Sequence, residues 1–232
     1  RHTRLQGDWS SDVCSSDLIR LSDLEANSIS VSAQGNILDA DNNNDQVDLI
    51  ANQISLTSTQ GSIGSQLNNI LTADATTTTL RSIEFEYRSP GTHSASFIAT
   101  QGTVSIHSND LPTLVDSNKL WLVSDSSIQA NNLNGLTSRV TDLALIINPA
   151  TVGPTGIITL PDSLSVTGDL RIDAYDINAS DGSVDIAANR LLWKSVLDSE
   201  FSVTASQIDA ASSNSLRIHS NGPTTEIGRA HV

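Results

Sequence analysis

Basic residues, cysteine, aromatic residues and long apolar runs are all scarce in this 232-residue chain. Each shortage excludes something. Twelve Lys and Arg stand against 26 Asp and Glu, a formal charge of −14. Partners with phosphate backbones need clustered cations, so nucleic acid is excluded as a partner. The single cysteine, Cys14, cannot build an internal disulfide framework. Near-absence of cysteine fits a large exported bacterial protein that avoids chance disulfides, although many cytosolic proteins also do without it. No apolar run approaches the ~18–20 residues of a membrane span. Aromatic residues make up 3% of the chain, which is thin filling for a sandwich core ~10 Å thick. Phosphate-binding Gly-rich loops, Cys/His metal spacings and nucleophile elbows are missing as well.

What the sequence does have is alternation. Between Ser28 and Ser65, Ile29, Val31 and Ala33 alternate with Ser28, Ser30 and Ser32, and Gln34-Gly35 turns the chain. The pattern restarts at Val47, Leu49 and Ala51, continues through Ile54 and Leu56, and turns again at Gln60-Gly61 before Ile63. Period-2 alternation in short pieces broken by Gly and Asn marks half-buried strands. A strand with one aliphatic face must stack on copies of itself to bury it. The stretches 99–109, 179–189 and 211–221 share a template, small-x-x-Gly/Asn-x-aliphatic, read as a strand end, a turn with positive φ and a new strand. Turn spacing is uneven, from Gly35 to Gly61 and then on to Gly102. Recurrence of short strands at tens of residues points to a solenoid with loops of variable length. The expected fold is therefore all-β, a right-handed single-stranded β-helix (β-solenoid) with irregular loops, with a sandwich or β-prism array as the alternative. Ile29, Val31, Leu49, Leu56, Val104, Ile106, Leu170, Ile172, Val184, Ile186, Leu216 and Ile218 are expected to point inward, and Trp193 to pack across a coil corner.

The two ends have a different texture. Asp8 to Leu18, DWSSDVCSSDL, resembles a translated sequencing adapter, and Ile227 to Val232, IGRAHV, resembles its opposite-strand reading. The expectation is that 1–18 and 227–232 are adapter-derived and unstructured, and that 19–226 is one continuous solenoid array, an internal fragment of a longer gene from an environmental assembly. Leaving out Arg1, Arg4, Arg229, Asp8, Asp12 and Asp17 does not change the net charge.

The phrases SISVSAQGNILDA, VDLIANQISLTSTQGSIGS and VDIAANRL resemble the repeats of filamentous-haemagglutinin-like proteins, which are large secreted bacterial adhesins on a right-handed β-helix. The resemblance covers most of 28–65 and recurs weakly through 93–108 and 164–221. It implies a structural or adhesive stalk segment without chemistry of its own, secreted or on the bacterial cell surface. It implies a glycan or protein surface, on a host cell or in the environment, as partner of other parts of the parent protein, and export through a partner outer-membrane transporter. A polysaccharide-processing β-helix enzyme and a phage tail-fibre shaft are the alternatives.

Three groups of residues could carry chemistry. Asp39, Asp41, Asn43 and Asp45 place oxygen ligands at alternate positions of a polar loop, the arrangement Ca²⁺ takes. Asn44 stands where an EF-hand has Gly, and Ile50 where it has Glu, so a solvated loop is the plainer reading and no other cofactor is expected. His107 and His219 occupy equivalent template positions, read as a shared surface rung. Asp169, Arg171, Asp173 and Asp185 lie on polar positions and would be the carboxylates and cation of a hydrolase or lyase if they converged across coils. With so many carboxylates some proximity is expected by chance, and no catalytic residue is assigned.

Overall fold

A computed structural model describes residues 9–12, 18–21, 24–40, 47–64, 85–88, 94–108, 112–124, 127–130, 140–147, 156–179, 184–212, 216–220 and 226–227. Among them there is no α-helix, and the strands stack in parallel as a β-solenoid of about six turns. The contacts divide into two compact units.

The first unit contains β1 (Trp9–Asp12), β2 (Leu18–Leu21), β3 (Leu24–Ala33), β4 (Asn36–Asp39), β5 (Leu49–Ser58), β6 (Phe85–Arg88), β7 (Ser94–His107) and most of β8 (Leu114–Ser124). Its long face runs β1-β3-β5-β7, with β6 paired to the start of β5 and the end of β7. Register puts like on like: Ile29 beside Ile54 beside Ala95, and Val31 beside Leu56 beside Phe97. All six are buried, and each aliphatic removed from water contributes roughly 1.5–3 kcal/mol. The intervening Ser28, Ser30, Ser55 and Thr57 face outward, at least partly exposed. A second, shorter face stacks β2 on β4 and then Ile37 on Ile63 on Val104, all three fully buried.

The second unit holds β9 (Ile128–Gln129), β10 (Asp142–Ile147), β11 (Ile157–Leu160), β12 (Ser163–Ser165), β13 (Asp169–Asp173), β14 (Asp176–Ala179), β15 (Val184–Ala187), β16 (Arg190–Ser195), β17 (Ser199–Thr204), β18 (Gln207–Ser212), β19 (Leu216–Ser220) and β20 (Glu226–Ile227). They form three parallel sheets around one interior: β10-β13-β16-β18-β20, β9-β11-β14 and β12-β15-β17-β19. The interior ladders are Leu143-Leu170-Leu191-Ile208, Ile128-Ile158-Ile177 and Leu164-Ile186-Val203. Trp193 and Phe201 stack inside, ring centroids 4.2 Å apart.

Of the twelve residues expected inward, ten are buried. Ile218 is half-exposed because β19 is the outermost strand of its sheet and has no further rung to cover it. Leu216 pairs with Ser199, and its side chain lies outside the described residues.

Several expectations are corrected. Positive φ is not what the turns require: among the described residues Gly64 is the glycine in that region. Gly61 is needed for space, since a Cβ there would sit 2.4 Å from the carbonyl carbon of Gly35. Gln101-Gly102 is not a turn but lies within the fourteen-residue β7. The outer surface is not uniformly polar: Ala144, Ile146 and Leu192 alternate with the interior residues and are nonetheless buried, so this part of the first sheet is covered on both faces. Lastly, Trp9–Asp12 was expected to be unstructured and instead pairs with β3, Trp9 opposite Ile29. Leu18 pairs with Asn36 and Ile227 with Ile208. A parallel sheet edge offers a row of backbone donors and acceptors that any extended segment can use. The rest of 1–17 and 228–232 lies outside the described residues.

Candidate functional site

The sequence-predicted polar residues fall on different parts of the fold. Asp39 closes β4, and Arg20 donates to its backbone carbonyl at 3.0 Å. Asp41, Asn43 and Asp45 lie outside the described residues. Among the described residues, no three His, Cys, Asp or Glu side chains approach closely enough to hold a metal ion.

Asp169, Arg171 and Asp173 share β13, whereas Asp185 sits on β15 in another sheet between Ser163 and Ser202. The four do not form one cluster. Arg171 is buried and donates to Asp173 at 3.0 Å. Asp169 is bound by Arg190 on the next coil, whose Nε lies 2.7 Å from Asp169 Oδ1 and whose second nitrogen takes the other oxygen. The hydrogen bond that Arg190 donates to Asp169 chiefly holds its guanidinium above its ordinary pKa; burial opposes this, and the charges of Asp169 and Asp142 add to it. This fork of two parallel bonds fixes one coil on the next. His107 pairs with Glu86 on the β6 backbone. His219 stands on β19, its Nε2 3.1 Å from Glu200 Oε1, with Arg217 3.8 Å from the other oxygen. The three make an exposed ladder between adjacent rungs.

One feature was not legible in the sequence. A cleft of about 370 Å³ opens in the second unit, lined by Ile177, Asn178, Trp193, Asp198, Glu200 and Arg217 among others. It exists because the chain shortens. From Asp169 to its register partner Arg190 the coil takes 21 residues, and from Arg190 to Gln207 it takes 17. The coil that begins with β16 skips the second sheet: Val196 and Leu197 both donate backbone N–H bonds to Tyr175 O, at 2.9 and 3.1 Å. β14 is therefore the last strand of its sheet. The step would expose the interior, and the Trp193–Phe201 stack fills it. A bend between Ser195 and Ser199, closed by a 2.7 Å hydroxyl–hydroxyl bond, holds the shortcut.

Comparison with protein-family models, with curated proteins and with solved structures found no match to this chain.

Proposed function

We propose that this chain is a structural segment of the stalk of a large secreted or cell-surface bacterial adhesin, serving distance and rigidity and carrying no chemistry of its own. The observation that supports this reading is how the coils use their polar groups. Asp169 with Arg190, Glu200 with Arg217 and His219, and Asn27 with Asn52 each join one rung to its neighbour. Of the residues that could have carried chemistry, Asp169 is tied to Arg190 and Arg171 to Asp173, and Asp185 lies in another sheet. Side chains engaged in this way strengthen a stack. A solenoid stabilised by nearest-neighbour contacts lengthens by adding coils, each advancing the stack by about 4.8 Å.

The test has two arms. Purified chain incubated with a panel of acidic and neutral polysaccharides is expected to release neither reducing ends nor unsaturated products. Product formation would overturn the reading in favour of an enzyme. Inserted between an outer-membrane anchor and a fluorescent reporter, the chain is expected to move the reporter away from the membrane. A reporter distance unchanged by the insertion would count equally against a stalk.

A further inference from the structure

We propose that the cleft beside β14 takes up an extended peptide as the missing next strand of the three-stranded sheet. Three observations point to a strand. The coil after β14 is four residues shorter than the coil containing it, judged by the register partners Asp169, Arg190 and Gln207, and β14 is itself four residues long. The vacancy thus has the length of one rung. Asp176 donates its N–H to Gly156 O on the β11 side. In a parallel ladder, alternate residues bond to opposite neighbours, so Ile177 and Ala179 turn their backbone groups toward the cleft. Ile177, Val184 and Trp193 underlie the cleft, whose accessible surface is mostly polar. The inward residue at this level of the sheet is Ile in three successive rungs, Ile128, Ile158 and Ile177.

These features favour strand addition, in which main-chain bonds give affinity and alternate side-chain pockets give selectivity. The rim sets the charge of the occupant. Asp198 and Glu200 face one cation, Arg217, on a chain carrying −14 overall. A peptide with an Ile-like inward residue and flanking Lys or Arg is complementary. A saccharide would make little use of a strand edge.

The probe is acetyl-Lys-Thr-Ile-Thr-Ala-Lys-amide, titrated into the full chain by calorimetry and followed by amide hydrogen exchange. Binding is expected, with exchange slowed at Ile177 and Ala179. N-methylation of the peptide's central amides is expected to weaken binding about tenfold or more, because two main-chain bonds are lost. Replacing the probe's Ile with Asp is expected to do the same. The rim variant Asp198→Lys, with unchanged circular dichroism, is expected to bind the probe several-fold more weakly at low salt. Equal affinity for the N-methylated peptide would overturn the proposal. So would neutral oligosaccharides shifting the Ile177 amide where the peptide does not, which would make the cleft a glycan site. No response to the peptide at millimolar concentration would also end it.

Discussion

After Ala33 in the first unit, the chain turns at Gln34-Gly35-Asn36 and the next coil repeats the turn at Gln60-Gly61-Ser62. Asn36 Oδ1 accepts the N–H of Ser62 at 2.8 Å, and Ser62 Oγ accepts the N–H of Thr103 on the coil beyond, at 3.0 Å. In the second unit the corresponding corner is Thr141-Asp142, then Gly168-Asp169, then Asn189-Arg190. Asp142 Oδ1 accepts the N–H of Asp169 at 2.9 Å. The backbone ladder runs from Gly168 N to Thr141 O, and from Asn189 N to Gly168 O. The device is the same: a side-chain oxygen at one corner receives the backbone N–H of the next. The chemistry of the acceptor differs. A neutral amide needs nothing more, whereas two stacked carboxylates repel one another until a cation is supplied, and Arg190 on the following coil supplies it. The difference teaches that a coil's corner selects its neighbours' residues through charge, across about twenty residues of sequence.

The largest effect is expected from removing the aromatic plug at the narrowing step of the second unit. Trp193→Ala leaves a cavity against Phe201 where the coil loses a strand. A cost of about 3–5 kcal/mol is expected. Because solenoid coils communicate through neighbours, hydrogen exchange should rise across β13 to β18 and leave β3 and β5 protected. Uniform loss of protection in both units would contradict this.

The glycines of the two corners come next. A Cβ on Gly61 meets backbone, 2.4 Å from Gly35 C and 2.6 Å from Asn36 N. A Cβ on Gly168 meets the Asp142 carboxylate at 2.0 Å and Thr141 atoms at 3.0 Å. Backbone cannot step aside, but a carboxylate can rotate. Gly61→Ala is expected to cost about 2–3 kcal/mol and Gly168→Ala about 1–2, within the usual range for overpacking. Urea denaturation of the two variants checks the order. The reverse order would mean that the charged corner is the stiffer one.

Much of this architecture was legible in the sequence, and the limits have physical causes. Alternation at Ile29-Val31-Ala33 and Leu170-Ile172 shows which side chains point in, because a strand's period is written in adjacent residues. It cannot show what lies over the outer face, so the burial of Ala144, Ile146 and Leu192 was not legible. Register between coils was hidden too, since coils of 27, 21 and 17 residues separate Leu143, Leu170, Leu191 and Ile208. Asp169 was therefore grouped with its strand neighbours rather than with Arg190. The cleft at Ile177 and Trp193 arises from a strand that is absent, and an absent strand leaves no residues to read.

The contrast between charged and neutral rungs can itself be sharpened. Arg190→Met removes the fork on Asp169, and because Arg190 is 39% exposed the loss is expected to be only about 1 kcal/mol after solvent screening. It should shrink as salt rises. The Arg190 pKa is raised above its ordinary value, so the group's contribution is fully present below that ordinary value and is lost only as pH climbs through the raised one. Wild-type and Arg190→Met stability should therefore differ by a constant amount from neutral into moderately alkaline solution.

The smallest effect belongs to the neutral rung. Asn52 Nδ2 donates to Asn27 Oδ1 at 2.9 Å on the exposed side of β3 and β5. Both amides can turn to water when the bond is broken, so no buried group is stranded, and Asn52→Ala is expected to cost about 0.5 kcal/mol. The size alone would not distinguish it from the Arg190 fork. The salt response should, because an amide–amide bond carries no net charge to screen. Denaturation curves at low and high salt are expected to show a constant gap for Asn52→Ala and a closing one for Arg190→Met. If both gaps close together, the two rungs share one electrostatic origin and the contrast between charged and neutral rungs fails. If neither closes, the Arg190 fork acts through its part-buried hydrogen bonds rather than through its charge.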